Sequence, residues 1–164
     1  MLRKEKIMIR ILFVCHGNIC RSPMAEFIFN DLVRKRNLSD LFFAASAATS
    51  YEEIGNPVYP QARRKLEEAG ISAAGKYARR MEASDYHEYD YLIGMERRNR
   101  INMEKIAGGD PEHKMHRLLD FTDRPGDIAD PWYTRDFDTA YREIREGCES
   151  LLGYLLEESK TFGR

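Results

Sequence analysis

Cys15 and Arg21 are separated by five residues in the string Val14-Cys15-His16-Gly17-Asn18-Ile19-Cys20-Arg21-Ser22-Pro23. A β-branched apolar run ends at the thiol, and Ser22-Pro23 has the composition that opens a helix. Between them the backbone must curl, and Gly17 and Asn18 are the residues that most readily take positive φ. A curl of this kind aims successive N–H groups into one concavity, which is an anion nest. The helix N-terminus adds partial positive charge, and Arg21 adds a planar cation that matches a phosphate. A cysteine at the rim of such a cradle is favoured as a thiolate, because thiols beside cations or helix N-termini fall to roughly pKa 3.5–7.5. The predicted chemistry is nucleophilic attack on a bound phosphoryl group. Ser22 can donate its hydroxyl proton to Cys15, and the Asn18 amide can pin the loop. His16, Gly17, Asn18, Ile19, Cys20 and Ser22 are the expected contacts to the substrate. Taken singly, Cys15 reads as core and Gly17-Asn18 as a turn; the whole string points to phosphate. His16 and Cys20 could suggest a metal, but no second ligand pair stands elsewhere at zinc spacing.

Phosphoryl transfer to a thiolate also needs an acid for the leaving group and then a base for water. One carboxyl can serve both steps, for roughly 10²–10⁴-fold in rate. Asp120, Asp123, Asp127, Asp130 and Asp136 are available late in the chain. Asp130-Pro131-Trp132-Tyr133 stands out, because Pro131 stiffens the backbone beside the acid. Trp132 and Tyr133 offer walls for a flat ring. Asp136 is better read as a helix cap.

These residues must be positioned by alternating strands and helices. Strands are expected over 7–14, 41–48, 89–95 and 114–119. Helices are expected from Ser22, over 60–69, after Met95 to about Ala107, and from Asp136 to about Glu158. Met24, Ala25, Phe27, Ile28, Leu32 and Val33 give the first helix its apolar face. Ile144, Cys148, Leu151, Leu152 and Leu155 form the inward stripe of the last. The segment 121–134 reads as a loop. This alternation predicts an α/β fold, a four-stranded parallel sheet with helices on both faces. Ligands bind such sheets beyond the carboxyl ends of the strands, where Cys15 lies.

The chain has 164 residues, enough for a single domain over 1–164, with residues 1–6 expected to be a disordered or frayed N-terminus. Lys plus Arg number 26 and Asp plus Glu 27, a net charge of −1 that speaks against nucleic-acid or polybasic membrane binding. Hydrophobic content of 43% speaks against disorder. Three cysteines are too few and too odd for a disulfide scaffold. The apolar run after Arg3, Lys4 and Lys6 is broken by Arg10, and is too short for a signal peptide. A cytoplasmic protein with reduced thiols is expected.

The segment from Cys15 to Glu26 resembles the signature of the low-molecular-weight protein tyrosine phosphatases, and the resemblance runs from about Ile7 to Leu156. It implies a Rossmann-like fold and hydrolysis of phosphotyrosine, without metal or cofactor, through a phosphocysteine on Cys15. Arg21 would bind the phosphoryl group and Asp130 would act as general acid and base. The implied partner is a phosphotyrosine-containing protein, with phosphate or another oxyanion in the loop. Cys20 would be a resolving thiol that forms a reversible disulfide with Cys15, and Ser46 would support Asn18. Several positions depart from the pattern. Trp132 stands where tyrosine is common. Glu52 holds the usual place of an aromatic wall, so either Tyr51 beside it takes over or the pocket is more open and more acidic there. A supporting histidine near Gly75 is absent, and Met95-Glu96 replaces Met-Asp.

Protein-arginine phosphatases are similar but carry threonine where Ile19 stands. Arsenate reductases share the loop but need two further downstream cysteines, and only Cys148 follows. A non-catalytic phosphotyrosine-binding module would be expected to lack the nucleophile or the acid.

Overall fold

The computed structural model of the protein describes residues 8–161. The proposed frayed segment and the first residue of the expected first strand lie outside them. Four strands, β1 (Ile9–Cys15), β2 (Phe42–Ala48), β3 (Tyr91–Gly94) and β4 (Met115–Arg117), form one sheet in the order β2-β1-β3-β4. All pairs are parallel. Cys15 pairs with Ala48 and Val14 with Gly94, so the carboxyl ends of three strands finish level. The chain leaves β1 toward β2 on one side and returns to β3 on the other. That reversal opens a crevice at the end of β1.

The period-2 alternation of β1 builds two cores. Ile11, Phe13 and Cys15 join the larger cluster with α1 (Arg21–Lys35), α2 (Pro60–Glu68) and α6 (Phe137–Thr161). Leu12 and Val14 join Leu92, Met103 and Met115 beneath α4 (Arg97–Ala107). All five residues of the expected α6 stripe are buried, and Cys148 is fully enclosed. On α1, Met24, Ala25, Ile28 and Val33 are buried, while Phe27 and Leu32 lie at the margin of the core.

Some boundaries differ from the sequence reading. Helix α1 begins one residue earlier than expected, with Cys20 at its N-cap, so Ser22 lies inside the first turn. β3 starts at Tyr91 because α3 (Asp85–Glu88) runs up to it and Tyr89 is taken into the smaller core. After Arg117 the apolar pair Leu118-Leu119 turns into a 3₁₀ segment, Leu118–Phe121, packed against α6. The expected loop contains a one-turn helix, α5 (Pro131–Thr134), capped by Asp130. Asp136 does cap α6, accepting from the Thr139 N–H at 3.0 Å. Among the described residues no helix is long and apolar enough to cross a membrane.

Candidate active site

The loop from Cys15 to Arg21 curls around the thiol. Sγ accepts hydrogen bonds from the Asn18 N–H at 3.3 Å and the Ser22 N–H at 3.4 Å, and Ser22 Oγ lies 3.0 Å away. Donors converging on one point make the loop a concavity of the anion-nest kind. Asn18 takes the left-handed conformation, φ 62°. Gly17 does not, so its predicted conformational role is wrong. Its value is space: a Cβ there would stand 3.3 Å from Glu53 Cγ.

Behind the loop runs a buried relay. Asn18 Nδ2 donates to Ser22 Oγ at 2.8 Å and to Ser46 Oγ at 2.9 Å, while its Oδ1 accepts from the Arg79 N–H at 3.1 Å. Ser46 in turn donates to Glu26 Oε1 at 2.5 Å. Lys76 Nζ lies 3.3 Å from the same Glu26 oxygen and donates to the Ser46 carbonyl at 3.0 Å. Burial pulls the Lys76 ammonium below its ordinary pKa, with Glu26 opposing. Ser46 thus stands beside Asn18 as the sequence reading had it. Glu26, Lys76 and Arg79 were missed as members of this group.

Arg21 is 1% exposed and its guanidinium is held on three sides. Nη1 donates to the Ile128 carbonyl at 2.8 Å. Nη2 lies 2.8 Å from Glu96 and 3.2 Å from Asp130. Burial opposes its charge, but the anionic sides of Cys15, Asp130 and Glu96 outweigh that cost and raise its pKa further. Glu96 arrives there because β3 passes into α4 by a tight turn. A Cβ on Gly94 would lie 2.9 Å from Asn99 Cβ, and Asn99 Oδ1 accepts from the N–H groups of Met95 and Glu96. The Ile128 N–H donates to the Met95 carbonyl at 2.9 Å, which ties the Asp130 segment to the end of β3. Asp130 Oδ1 accepts from the Trp132 N–H, leaving Oδ2 toward Arg21.

A cavity opens over the loop, lined by residues 15–21 with Glu52, Glu53, Asp130, Trp132 and Tyr133. The Trp132 ring stands edge-on to Tyr59, 5.0 Å between centroids, and Tyr59 stacks on Phe137. Tyr59 had not been anticipated as the support of this wall. Tyr51 does not line the cavity, contrary to its expected place. Its ring is 70% exposed and lies under the Arg80 guanidinium, while Glu52 and Glu53 form the wall. Ser22, expected to touch substrate, is fully buried beneath the loop. Cys20 lines the cavity floor, and burial first, then the neighbouring Cys15 and Asp130 charges, push its thiol far up. Cys148 is enclosed within α6 and the core, out of reach of the cavity. Among the described residues no three His, Cys, Asp or Glu side chains gather in a way that would hold a metal ion.

Comparison with known proteins bears on this geometry. A family model described as low molecular weight phosphotyrosine protein phosphatase matches residues 10–161. The low molecular weight protein-tyrosine-phosphatase YfkJ of Bacillus subtilis is 39% identical over 155 residues, 93% of this chain and 99% of that protein. Its crystal structure superposes with a TM-score of 0.90 at 40% identity, covering 93% of this chain and 97% of the other. A low molecular weight protein tyrosine phosphatase from Streptococcus pyogenes gives a TM-score of 0.81 at 36% identity, covering 90% and 93% of the two chains. An arginine phosphatase from Drosophila gives 0.83 at 32% identity, covering 90% and 98%.

Proposed function

Since this chain belongs to the low molecular weight phosphotyrosine protein phosphatase family and is a cysteine-based phosphatase, we propose that Cys15, Arg21 and Asp130 carry its reaction. The Cys15 thiolate attacks phosphorus while the P–O bond to the tyrosine ring breaks. Asp130 gives its proton to the departing phenolate oxygen. Arg21, fixed at three points, holds the phosphoryl oxygens together with the loop N–H groups. Water then attacks phosphocysteine, Asp130 takes its proton, and the S–P bond breaks to return thiolate and phosphate. Ser22 and the loop N–H groups receive the sulfur as it leaves. The observation that carries this reading is the convergence of the Asn18 and Ser22 donors on Cys15 Sγ, in a cavity that Arg21 and Asp130 also line.

The substrate is a phosphotyrosine protein, and we place the reaction in the cytoplasm, where a catalytic thiolate stays reduced. Burst kinetics with p-nitrophenyl phosphate test the covalent step. Cys15→Ser abolishes both burst and turnover while inorganic phosphate still binds; retained turnover removes Cys15 from the mechanism.

The Drosophila relative supplies a second reading, a protein-arginine phosphatase. Ile19, 7% exposed on the cavity wall, favours tyrosine. Its branched side chain gives an apolar surface to a ring and no acceptor to a guanidinium. A panel of phosphotyrosine, phosphoserine and phosphoarginine peptides separates the readings. A higher kcat/KM for phosphoarginine defeats the tyrosine assignment.

A further inference from the structure

We propose that Glu52 and Glu53 are specificity-determining residues that select phosphotyrosine sites flanked by lysine or arginine. The proposal rests on the phosphatase reading and names the class of substrate that the cavity admits. Both carboxylates are built into the phosphate loop's surroundings. The Thr49 N–H donates to the Cys15 carbonyl at 2.9 Å and the Ser50 N–H to the His16 carbonyl at 3.1 Å, so the chain rises to Glu52 and Glu53 directly from the loop. Glu53 Cγ closes over Gly17.

The charges around the cavity do not balance. Its lining holds three carboxylates, Glu52, Glu53 and Asp130, against the Arg21 guanidinium, with the His16 imidazole beside Glu52. Arg21 is shared by Glu96 and Asp130 and, in the reaction, by the phosphoryl group. His16 Nε2 lies 3.2 Å from Glu52, and Glu53 accepts from the neutral Asn56 amide at 2.7 Å. Guanidinium groups on neighbouring segments are held by other partners, although the Arg135 charge reaches Cys20 in the lining. Arg80 lies over Tyr51 and donates to the Thr49 carbonyl. Arg135 donates to Tyr59 Oη and the Trp132 carbonyl. A phosphate dianion therefore passes two carboxylates on its way to the loop. A cation carried on the same peptide offsets that repulsion, and a flanking acid adds to it.

The test uses three phosphotyrosine peptides that differ only in their flanks, Lys, Ala or Glu. An exposed pair is worth about 0.2–1 kcal/mol, so two carboxylates give roughly a two- to thirtyfold higher kcat/KM for the Lys than the Glu peptide at low salt. That ratio falls to within about twofold in the Glu52→Gln/Glu53→Gln double variant, and shrinks at high salt. Inorganic phosphate also inhibits the double variant at lower concentration than the wild type, a gain that misfolding cannot produce. A wild-type ratio near one, a ratio that persists in the variant, or an unchanged phosphate inhibition constant each overturns the proposal. So does a phosphoarginine peptide turned over faster than the Lys-flanked peptide, since the carboxylates would then read the guanidinium itself. If the Ala peptide is not hydrolysed at all, the tyrosine phosphatase reading fails first, and this proposal falls with it.

Discussion

Ser22 Oγ lies 3.0 Å from Cys15 Sγ, and with Cys15 as the attacking thiolate the proton between them belongs to oxygen. Arg79 donates to Asn18 Oδ1, which fixes the Asn18 amide with its NH2 toward Ser22 and Ser46. Ser22 Oγ therefore accepts from Asn18 and has its own proton left for sulfur. Ser46 likewise accepts from Asn18 and spends its proton on Glu26. The Asn18 amide thus donates both ways: Glu26 anchors the Ser46 side, and Ser22 keeps its own proton for Cys15.

Ser22→Ala removes that donor. A hydrogen bond to a charged group is worth about 1.5–3 kcal/mol, so kcat should fall roughly 10–150-fold with little change in KM. Alkylation of Cys15 by iodoacetamide, followed against pH, should shift to higher pH in the same variant. Glu26→Gln should not raise it, because that change removes a negative charge and leaves the Ser22 donation in place. An unmoved alkylation profile in Ser22→Ala would show that the Ser22 contact is only structural.

Asp130→Asn should slow hydrolysis of phenyl phosphates by roughly 10²–10⁴-fold. The loss should shrink as the leaving group becomes more acidic, because such groups need no proton. Rates across a series of substituted phenyl phosphates measure this. A uniform loss across the series would assign the acid elsewhere.

Peroxide should inactivate the enzyme and a dithiol should restore it. Cys15 is oxidised to sulfenic acid, and the Cys20 thiol displaces its oxygen as water to form the disulfide. While Cys15 is a thiolate, its charge helps to hold Cys20 protonated, and oxidation removes that charge. Peptide mapping should find a Cys15–Cys20 link, and Cys20→Ser should lose most of its recoverable activity. Equal recovery in that variant would count against a protective role.

His116 packs against Tyr91 and Phe121, and burial, followed by Arg100, lowers its pKa below the ordinary 6.5. The unfolded chain then binds a proton at a pH where the folded chain does not. Stability should rise with pH through the window below 6.5 and be lost as pH falls from 6.5 toward the folded value. Urea midpoints between pH 5 and 8 should fall less steeply in His116→Gln than in the wild type. Parallel slopes would place the effect on other groups.

The phosphate loop was legible because its chemistry is contiguous: strand, thiol, curl and guanidinium are neighbours in the chain. Asp130 was legible because Pro131 and two aromatics mark it. What stayed hidden depends on long-range contacts. Glu26 and Lys76 look like ordinary surface charges in the sequence, and only the fold brings them together at Ser46, from α1 and from the segment after α2. Tyr51 looked like the wall because of its type. The chain is tied to the loop through Thr49 and Ser50, and it is Glu52 and Glu53, past Tyr51, that face the cavity. Ser22 resembled a cap, yet its hydroxyl is engaged by sulfur and Asn18.

The level finish of β1, β2 and β3 has a consequence for how the protein comes to life. Cys15 is made early in synthesis, but Ser46, Glu96 and Asp130 reach it only when later segments have joined the sheet on either side of β1. An incomplete chain therefore carries Cys15 without the surroundings that the finished sheet assembles around it. Recovery of activity on refolding should accordingly trail the recovery of helical signal.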